Sequence, residues 1–188
     1  MLAVLKSCSL LGIKGVIIRV EVDINRGLPA FDIVGLPDTA VRESRERVKS
    51  AIKNSGYDFP VKRITINLAP ADIRKIGPHF DLAIASGILA AQGMINAGKI
   101  SDYLVVGELS LNGNVQKVKG ILPMVLTASK NDLKGIILPA ENELEASLVE
   151  GIEIIPVNHI SELINIFREQ NEEYKFFSKK RNKLVNKN

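Results

Sequence analysis

Residues 67–81 read NLAPADIRKIGPHFD, and the apolar run LAIASGILAA follows at residues 82–91. The β-branched stretch at residues 64–68 that leads into this segment predicts a buried strand. Gly77 and Pro78 predict a loop after the strand, and proline also suits the first turn of the next helix. That helix is apolar on all sides, which predicts that it lies inside the protein. A strand, a loop and the open amide end of a buried helix often form a binding or catalytic site, so this segment is the first candidate.

The composition predicts one domain with a sizeable core, or one domain with an appendage. The chain has 188 residues, of which 46% are hydrophobic, and it contains no Trp. Cys8 is the single cysteine, which excludes an intramolecular disulfide. The two histidines and Cys8 are far apart in sequence and show no metal-ligand spacing, so we expect no metal site and interpret Cys8 as a core residue.

The hydropathy pattern favours a cytoplasmic protein without a membrane partner. The first residues lack the pattern of a signal peptide. The longest uncharged run, residues 82–98, is too short and too polar for a membrane span. We also find no sequence feature that indicates a small-molecule substrate.

Basic charge is concentrated at the end of the sequence. The net charge is +4, but residues 175–188 contain six basic residues and no acidic one, which leaves −2 for residues 1–174. We therefore expect a domain at residues 1–168 that is nearly neutral, and a polar, basic, disordered tail at residues 169–188. This tail makes a nucleic-acid-binding protein one of the alternatives.

Hydrophobic periodicity predicts a mixed α/β layer fold. A hairpin is expected from residues 2–11 and 16–25, followed by a strand at residues 30–34 and a helix at residues 39–55 that Asp38 caps. After residue 67, strands and helices alternate. Strands are predicted at residues 104–111 and 115–118, which form a hairpin around Asn112-Gly113, and at residues 136–138 and 152–157. Helices are predicted at residues 121–130 and 139–148. A last amphipathic helix is capped by Asn158 and extends to residue 167. On the helix at residues 121–130, the predicted apolar face consists of Leu122, Val125, Leu126 and Ser129.

Four cations recur at helical spacing on the helix at residues 39–55. They are Arg42, Arg45, Lys49 and Lys53. One interpretation is a solvated face with intrahelical ion pairs, each contributing about 0.2–0.5 kcal/mol. The other is a basic ridge that contacts a phosphate backbone or a neighbouring subunit. We add Arg74 and Lys75 of the loop as candidates of the same kind, so the possible partners are DNA or another copy of the chain.

Five ungapped motifs point to a family. They are FDIVGLPD at residues 31–38, VRESRERV at 41–48, INLAPAD at 66–72, FDLAIA at 80–85 and GELSLNG at 107–113. Together they closely resemble the N-terminal Lon-like domain of ComM/YifB-type proteins, which are relatives of the magnesium chelatase ATPase subunits. The resemblance extends over about residues 1–167, with one departure where the family's Leu-Pro pair is Leu82-Ala83 here. We expect this departure only to straighten the helix.

The resemblance implies a fold similar to the Lon protease catalytic domain and to the second domain of ribosomal protein S5. Lon-type proteases pair a serine in a Gly-Pro-Ser loop with a lysine on the helix that follows the Gly-Glu hairpin. Here Gly77-Pro78 is followed by His79, and the lysine position falls at or near Leu122. Because the loss of one member of such a coupled pair can reduce the rate about a millionfold, we expect a non-catalytic domain. His79 and Leu122 are then vestigial dyad positions.

A divergent hydrolase that uses His79 with Asp81 or Asp72 is the enzymatic alternative. His79 precedes a helix N-terminus, where the dipole disfavours the protonated ring. We favour a loop histidine that forms hydrogen bonds with its surroundings.

The resemblance also implies what an intact relative does. ComM/YifB proteins continue into a AAA+ ATPase, form hexameric rings and act on DNA as branch-migration motors during natural transformation. The printed sequence contains no G-x-x-x-x-G-K-S/T loop, so ATP and Mg²⁺ are expected only in a full-length relative and no cofactor is expected here. The leading hypothesis is a non-catalytic Lon-like domain that serves oligomerisation or contact with a partner or DNA. The sequence is either an excised domain or a truncated relative, and we favour the second because the tail does not resemble the family's linker.

Overall fold

The computed structural model describes residues 1–168, in which a seven-stranded sheet forms the centre. The predicted tail at residues 169–188 lies outside the described residues. The strands are β1 Leu2–Leu11, β2 Lys14–Asn25, β3 Ala30–Val34, β4 Arg63–Ala69, β5 Tyr103–Val105, β6 Glu108–Leu109, β7 Val115–Gln116, β8 Gly135–Pro139 and β9 Glu153–Val157.

The sheet is mixed, with the order β3-β4-β2-β1-β5-β8-β9. β2 pairs antiparallel with both β1 and β4. The other pairs are parallel, namely β3 with β4, β1 with β5, β5 with β8 and β8 with β9. Strands β6 and β7 form a separate two-stranded hairpin. The expected mixed α/β class is confirmed, with the antiparallel pairs formed by the first part of the chain.

Six helices cover the sheet. They are α1 Thr39–Asn54, α2 Asp81–Ala91, α3 Ala97–Ile100, α4 Ile121–Lys130, α5 Glu143–Ala146 and α6 Ile160–Phe167, with 3-10 turns at Pro78–Phe80 and Ala140–Asn142. One hydrophobic cluster joins α1, α2 and α6 to one face of the sheet, and a second joins α4 and α5 to the opposite face. No helix within residues 1–168 is long and apolar enough to cross a bilayer.

Helix α2 is the buried helix that the sequence predicted. All of its residues are buried, including Asp81 and Ser86. Gly87 allows its close approach to β2, because a Cβ there would lie 2.4 Å from Cγ2 of Val22. The Ser86 hydroxyl donates to the carbonyl of Leu82 at 2.6 Å, which satisfies this polar group inside the helix.

The predicted strand at residues 104–111 is wrong as a single element. β5 ends at Val105, and the chain leaves the main sheet before β6 begins at Glu108. The reason is that Gly107 forms backbone hydrogen bonds with the start of α2 instead of with β8, donating to His79 and accepting from Leu82. The predicted hairpin at Asn112-Gly113 exists, but its strands have only two residues each.

Two local predictions on helices also need correction. The buried face of α4 is Ile121, Met124, Val125, Thr127 and Ala128, whereas Leu126 and Ser129 are exposed and Leu122 is half-buried. The buried face is rotated because α4 packs against both the sheet and α5. The cap of α6 is His159, whose Nδ1 accepts the amide of Ser161 at 3.1 Å; Asn158 instead donates its amide to Glu162.

Candidate functional site

The amide end of α2, the first candidate from the sequence, is closed by groups of the protein itself. The amide of Leu82 donates to the carbonyl of Gly107 at 3.0 Å, and the amide of Gly107 donates to the carbonyl of His79 at 2.9 Å. The amide of Leu109 donates to the carboxylate of Asp81 at 3.1 Å. A helix end binds an external anion through amides that remain free. Asp81 instead places a fixed negative charge at this end of α2.

A buried polar network surrounds Asp81. The hydroxyl of Ser44 donates to its carboxylate, and Arg47 donates from Nε at 2.6 Å and from Nη2 at 3.1 Å. Asp81 has no exposed surface, and this paired carboxylate raises the pKa of Arg47. The network joins α1 to α2, and the polar hydrogens of Ser44 and Arg47 that point to Asp81 are all used within the protein. Sequence reasoning missed Ser44 and Arg47, although a serine at buried-stripe spacing between Val41 and Val48 was a signal.

His79, which the family resemblance suggests as a vestigial dyad position, is held against β1. Its Nε2 lies 2.7 Å from the carbonyl oxygen of Cys8, and its ring packs on Phe80 with 4.3 Å between the centroids. Because a carbonyl can only accept, Nε2 carries the proton in this contact. Burial lowers the pKa of His79 below its ordinary value. A neutral imidazole that donates to a backbone carbonyl fastens the loop to β1.

Leu122, the second position that the resemblance suggests, lies in the first turn of α4 and is half-buried. Gly120, directly before α4, has a φ of 72°, and a Cβ there would lie 2.5 Å from Cδ1 of Leu10. His79 and the start of α4 therefore both border residues 8–10 of β1. In this part of the structure, His79 contributes a hydrogen-bonded ring and the first turn of α4 carries the alkyl chain of Leu122.

The thiol of Cys8 and the hydroxyl of Ser9, on the part of β1 that His79 contacts, are not activated by an amine. Burial raises the pKa of the Cys8 thiol to about 11, so it is protonated at neutral pH. The hydroxyl of Ser9 donates to the carbonyl of Arg74 at 3.4 Å. The ammonium of Lys75 is bound by backbone carbonyls. Within residues 1–168, no hydrogen bond joins a hydroxyl or thiol to a lysine side chain.

Neither carboxylate that we considered for a divergent hydrolase forms a hydrogen bond with His79. Asp81 is bound by Ser44, Arg47 and Leu109, and Asp72 is exposed on the loop. Nε2 of His79 already donates to a backbone carbonyl. A histidine acts as a general base when a nucleophile lies within hydrogen-bond reach, and the described residues offer none to His79.

The pKa of His79 makes stability depend on pH. Because burial disfavours the imidazolium, the unfolded chain binds this proton more readily than the folded chain, and stability falls as the pH decreases below the ordinary value of 6.5. The His79→Gln variant keeps an N–H for the carbonyl of Cys8 but cannot titrate. We expect wild type to lose up to about 1.4 kcal/mol per pH unit more than the variant below that pH. Urea unfolding of both proteins between pH 5 and 8 measures the difference, and parallel pH profiles would contradict it.

Four of the predicted contact residues form an exposed face of α1. Arg42, Arg45, Lys49 and Lys53 are all exposed, and among them Arg45 donates to the carbonyl of Phe31 at 3.4 Å. The structure shows no ion pair between these four side chains and an acidic residue of the described chain. The neighbouring Glu43 pairs with Arg47 instead, at 3.7 Å. We call these four cations the α1 ridge.

The two loop cations have different environments. Arg74 is exposed, whereas Lys75 has 0% exposed surface. The ammonium of Lys75 donates to the carbonyls of Gly35, at 2.7 Å, and Pro70. An ammonium inside the protein cannot reach a phosphate or a partner, so the prediction of a contact role for Lys75 is wrong. Burial lowers the pKa of this lysine.

The cofactors that the family resemblance implies for intact relatives, ATP and Mg²⁺, do not fit the residues described here. Residues 1–168 contain no group of three His, Cys, Asp or Glu side chains placed to hold a metal ion. The acidic residue at the α2 terminus, Asp81, is bound by Arg47 and Ser44 and would repel a phosphate.

Comparisons with known proteins place the chain in a family. Residues 20–142 match the family described as subunit ChlI of Mg-chelatase. YifB of Escherichia coli is 44% identical over 159 residues, which cover 85% of this chain and 31% of that protein. Competence protein ComM of Haemophilus influenzae is 42% identical over 148 residues, covering 79% of this chain and 29% of that protein.

A more distant similarity extends to Lon proteases. Lon protease 2 of Bacillus subtilis is 30% identical over 147 residues, which cover 74% of this chain and 26% of that protein. This match supports the Lon-like fold expected from the sequence. The chain spans less than a third of the length of the YifB and ComM proteins that it matches. With the matched family covering most of the described residues, the chain belongs to the Mg-chelatase subunit ChlI family and is a relative of YifB and ComM.

Proposed function

We propose that this Lon-like domain is non-catalytic and serves as an accessory domain that contacts a partner or further copies of itself. The observation that carries the proposal is the state of the two dyad positions. His79 is committed to the carbonyl of Cys8, and Leu122 presents an alkyl chain where a base would have to accept a proton. A nucleophile as weak as serine needs such a base within hydrogen-bond reach. Because the Lon-like fold is intact while the serine–lysine pair is missing, a contact function explains the fold better than proteolysis does.

The α1 ridge is the surface that we propose for this contact. Residues 1–168 contain 19 basic and 18 acidic side chains, so the described part of the chain has little net charge. A run of exposed cations without acidic partners on such a domain attracts an acidic surface and steers its approach. The similarity to ComM and YifB makes a role for the domain within a ComM-type DNA motor part of the proposal.

Direct contact with DNA is the second candidate. The spacing of Arg42, Arg45, Lys49 and Lys53 along one helix face favours it, as does the basic composition of residues 175–188. Phosphate contacts release counterions, so the affinity of such a complex falls steeply with salt.

A ridge variant tests the proposed contact role. The variant replaces the four ridge cations by glutamine, and a matched control replaces four other exposed lysines, Lys14, Lys117, Lys119 and Lys130. We expect the ridge variant to bind poly-L-glutamate at least about tenfold more weakly than the control. Both variants lose four positive charges, but only the ridge variant loses the positive potential of the α1 ridge. Fluorescence anisotropy at several salt concentrations measures both proteins.

The same proteins separate the two candidate functions. If DNA is the partner, a duplex binds wild type more tightly than poly-L-glutamate does, and each lost phosphate contact makes the salt slope shallower by about 0.9. Equal losses in the ridge and control variants would overturn the ridge as the contact surface. Peptide hydrolysis that disappears in the His79→Ala variant would overturn the non-catalytic assignment.

A further inference from the structure

A trough runs between α1 and β3, the first strand in the order of the sheet. Its two compartments have volumes of about 400 and 360 Å³. β3 residues line both compartments, and Arg45 lies between them as the one ridge residue common to both. In the order of the sheet, β3 has β4 on one side and no strand on the other. The trough therefore has α1 as one wall and, as the other, the edge strand β3 together with residues 59–63 and Thr65.

The register of β3 identifies which backbone groups face the trough. Ala30 is paired with Arg63, and its amide donates to the carbonyl of Lys62 at 3.4 Å, so Ala30 directs its backbone groups towards β4. In a parallel ladder this orientation alternates, which turns the backbone groups of Phe31 and Ile33 away from β4. The bond from Arg45 to the carbonyl of Phe31 confirms this direction. The amide and carbonyl of Ile33 lie on the free edge.

The two walls of the trough match in length. β3 has five residues, which extend about 17 Å at 3.3 Å per residue. From Arg42 to Lys53 the helix rises about 17 Å at 1.5 Å per residue. An extended segment of about five residues that pairs with β3 would therefore lie beside the α1 ridge along its whole length.

The charges of the trough select an acidic occupant. Six cations line it, namely Arg42, Arg45, Lys49, Lys53, Lys62 and Arg63, against two acidic residues, Asp32 and Glu46. This excess contrasts with the nearly neutral balance of residues 1–168. Side chains of an added strand alternate between the two faces of the sheet, so every second residue would point to the α1 side. Acidic side chains at those positions would face the ridge.

We infer that the trough binds an extended acidic peptide segment of a partner protein, which adds a strand to the free edge of β3. The inference rests on the proposed contact function and specifies its partner. Strand addition obtains its affinity from main-chain hydrogen bonds and its specificity from alternate side chains. Ile33 supplies an outward amide and carbonyl, and the ridge supplies the charge recognition. Phe31 and Phe59 add an apolar part to the same trough, with their rings packed edge to face at 5.9 Å between centroids.

An extended peptide fits these features better than a nucleic-acid duplex does. A duplex is bound through phosphates that contact cations, and such binding makes no use of a strand edge or of an apolar trough. An alternating acidic and β-branched segment can place its charges beside the cations and its backbone against Ile33.

The test uses two fluorescent peptides of five residues that alternate glutamate and valine. One has a normal backbone, and the other is N-methylated at the amides that would face β3. Both have the same charge, so electrostatic attraction alone binds them equally. We expect the N-methylated peptide to bind the full chain at least about tenfold more weakly, because it loses main-chain hydrogen bonds to the strand edge.

A matched pair of variants tests the position of the added strand. Ile33→Pro removes an amide that faces the trough and leaves the β4 side of the ladder intact, and edge strands tolerate proline for this reason. Ile33→Ala removes a similar side chain but keeps the amide. We expect the normal peptide to bind the proline variant about tenfold more weakly than the alanine variant, while circular dichroism shows both folded. If the proline variant does not fold, the comparison of the two peptides on wild type decides the question.

The outcomes separate this inference from the proposed function. If the two peptides bind equally, or if a DNA duplex displaces them more readily than unlabelled peptide does, strand addition is overturned while the ridge remains a contact surface. If wild type and the ridge variant bind every acidic probe equally, the proposed contact surface fails, and the inference fails with it.

Discussion

Replacing Asp81 by alanine is expected to lower the free energy of unfolding by about 3–5 kcal/mol, because it removes the buried carboxylate that pairs with the half-buried guanidinium group of Arg47 and leaves Ser44 and the amide of Leu109 without their acceptor. Asp81 is fully buried, and it accepts hydrogen bonds from Arg47, Ser44 and the amide of Leu109. Removing the carboxylate therefore removes the hydrogen bonds that join α1 to α2 and α2 to β6. Urea unfolding at pH 7 measures the loss.

A double-mutant cycle assigns this loss to the pair. Arg47→Met preserves part of the alkyl packing and removes the charge, and the Asp81→Ala/Arg47→Met protein lacks both partners. We expect the double variant to be at least about 1 kcal/mol more stable than the sum of the single losses predicts, because neither charge remains unpaired. Arg42→Met, on the exposed face of the same helix, is the control and should change stability by less than about 0.5 kcal/mol. A loss below about 1 kcal/mol for Asp81→Ala would contradict the structural role of the network.

Local patterns in the sequence predicted most elements of this fold. Asp38 accepts the amide of Val41 at 2.8 Å and starts α1 at Thr39, as the capping pattern indicated. The hairpin of β1 and β2 and the buried α2 also follow from local patterns, namely the β-branched and alternating residues of the two strands and the apolar residues on all sides of the helix. These features depend on neighbours in sequence, which is the range over which such patterns carry information.

Features that depend on distant partners could not be predicted in this way. The order of strands places β1 beside β5, a pairing between Lys6 and Leu104, which are far apart in sequence. The break after Val105 arises because Gly107 bonds to the start of α2, and the sequence of residues 104–111 contains no signal of that partner. The orientation of α4 likewise depends on α5, which packs on its side.

In the candidate site, too, the residues could be identified from the sequence, whereas their three-dimensional surroundings could not. His79 and Leu122 were identified by comparison with a motif, and the structure adds what holds each side chain. The basic ridge was visible as a helical spacing of cations, but the trough beside it was not, because it needs β3 to be the first strand of the sheet. Contact through a strand edge is therefore an inference that only the three-dimensional arrangement supports.

Lys75 is the clearest case in which the sequence suggested an exposed side chain and the structure shows a buried one. A lysine in a polar loop is usually solvated, and no local pattern indicates that its ammonium reaches the carbonyls of Gly35 and Pro70. The backbone of Lys75 is paired too, since its amide donates to Leu36 at 3.0 Å and its carbonyl accepts from Asp38 at 2.9 Å. This lysine therefore joins the loop before α2 to the segment between β3 and α1.

Replacing Lys75 by methionine is expected to lower the free energy of unfolding by about 2–4 kcal/mol. Methionine fills a similar volume, but the carbonyls of Gly35 and Pro70 lose a charged donor, and hydrogen bonds to charged groups contribute about 1.5–3 kcal/mol each. Relief from burying the ammonium offsets part of this loss, because burial already lowers the pKa of Lys75. The net effect remains destabilising, since two acceptors are affected and one cation is removed.

Arg74→Met is the matched control for this substitution. Arg74 is the preceding residue of the same loop and is exposed, so the same loss of charge should alter stability by less than about 0.5 kcal/mol. Urea unfolding of wild type and both variants gives the comparison. If Lys75→Met were as stable as Arg74→Met, water would have to replace the ammonium at both carbonyls. The loop before α2 would then be held by the hydrogen bond of His79 and the backbone bonds to Leu36 and Asp38, without any contribution from the buried charge.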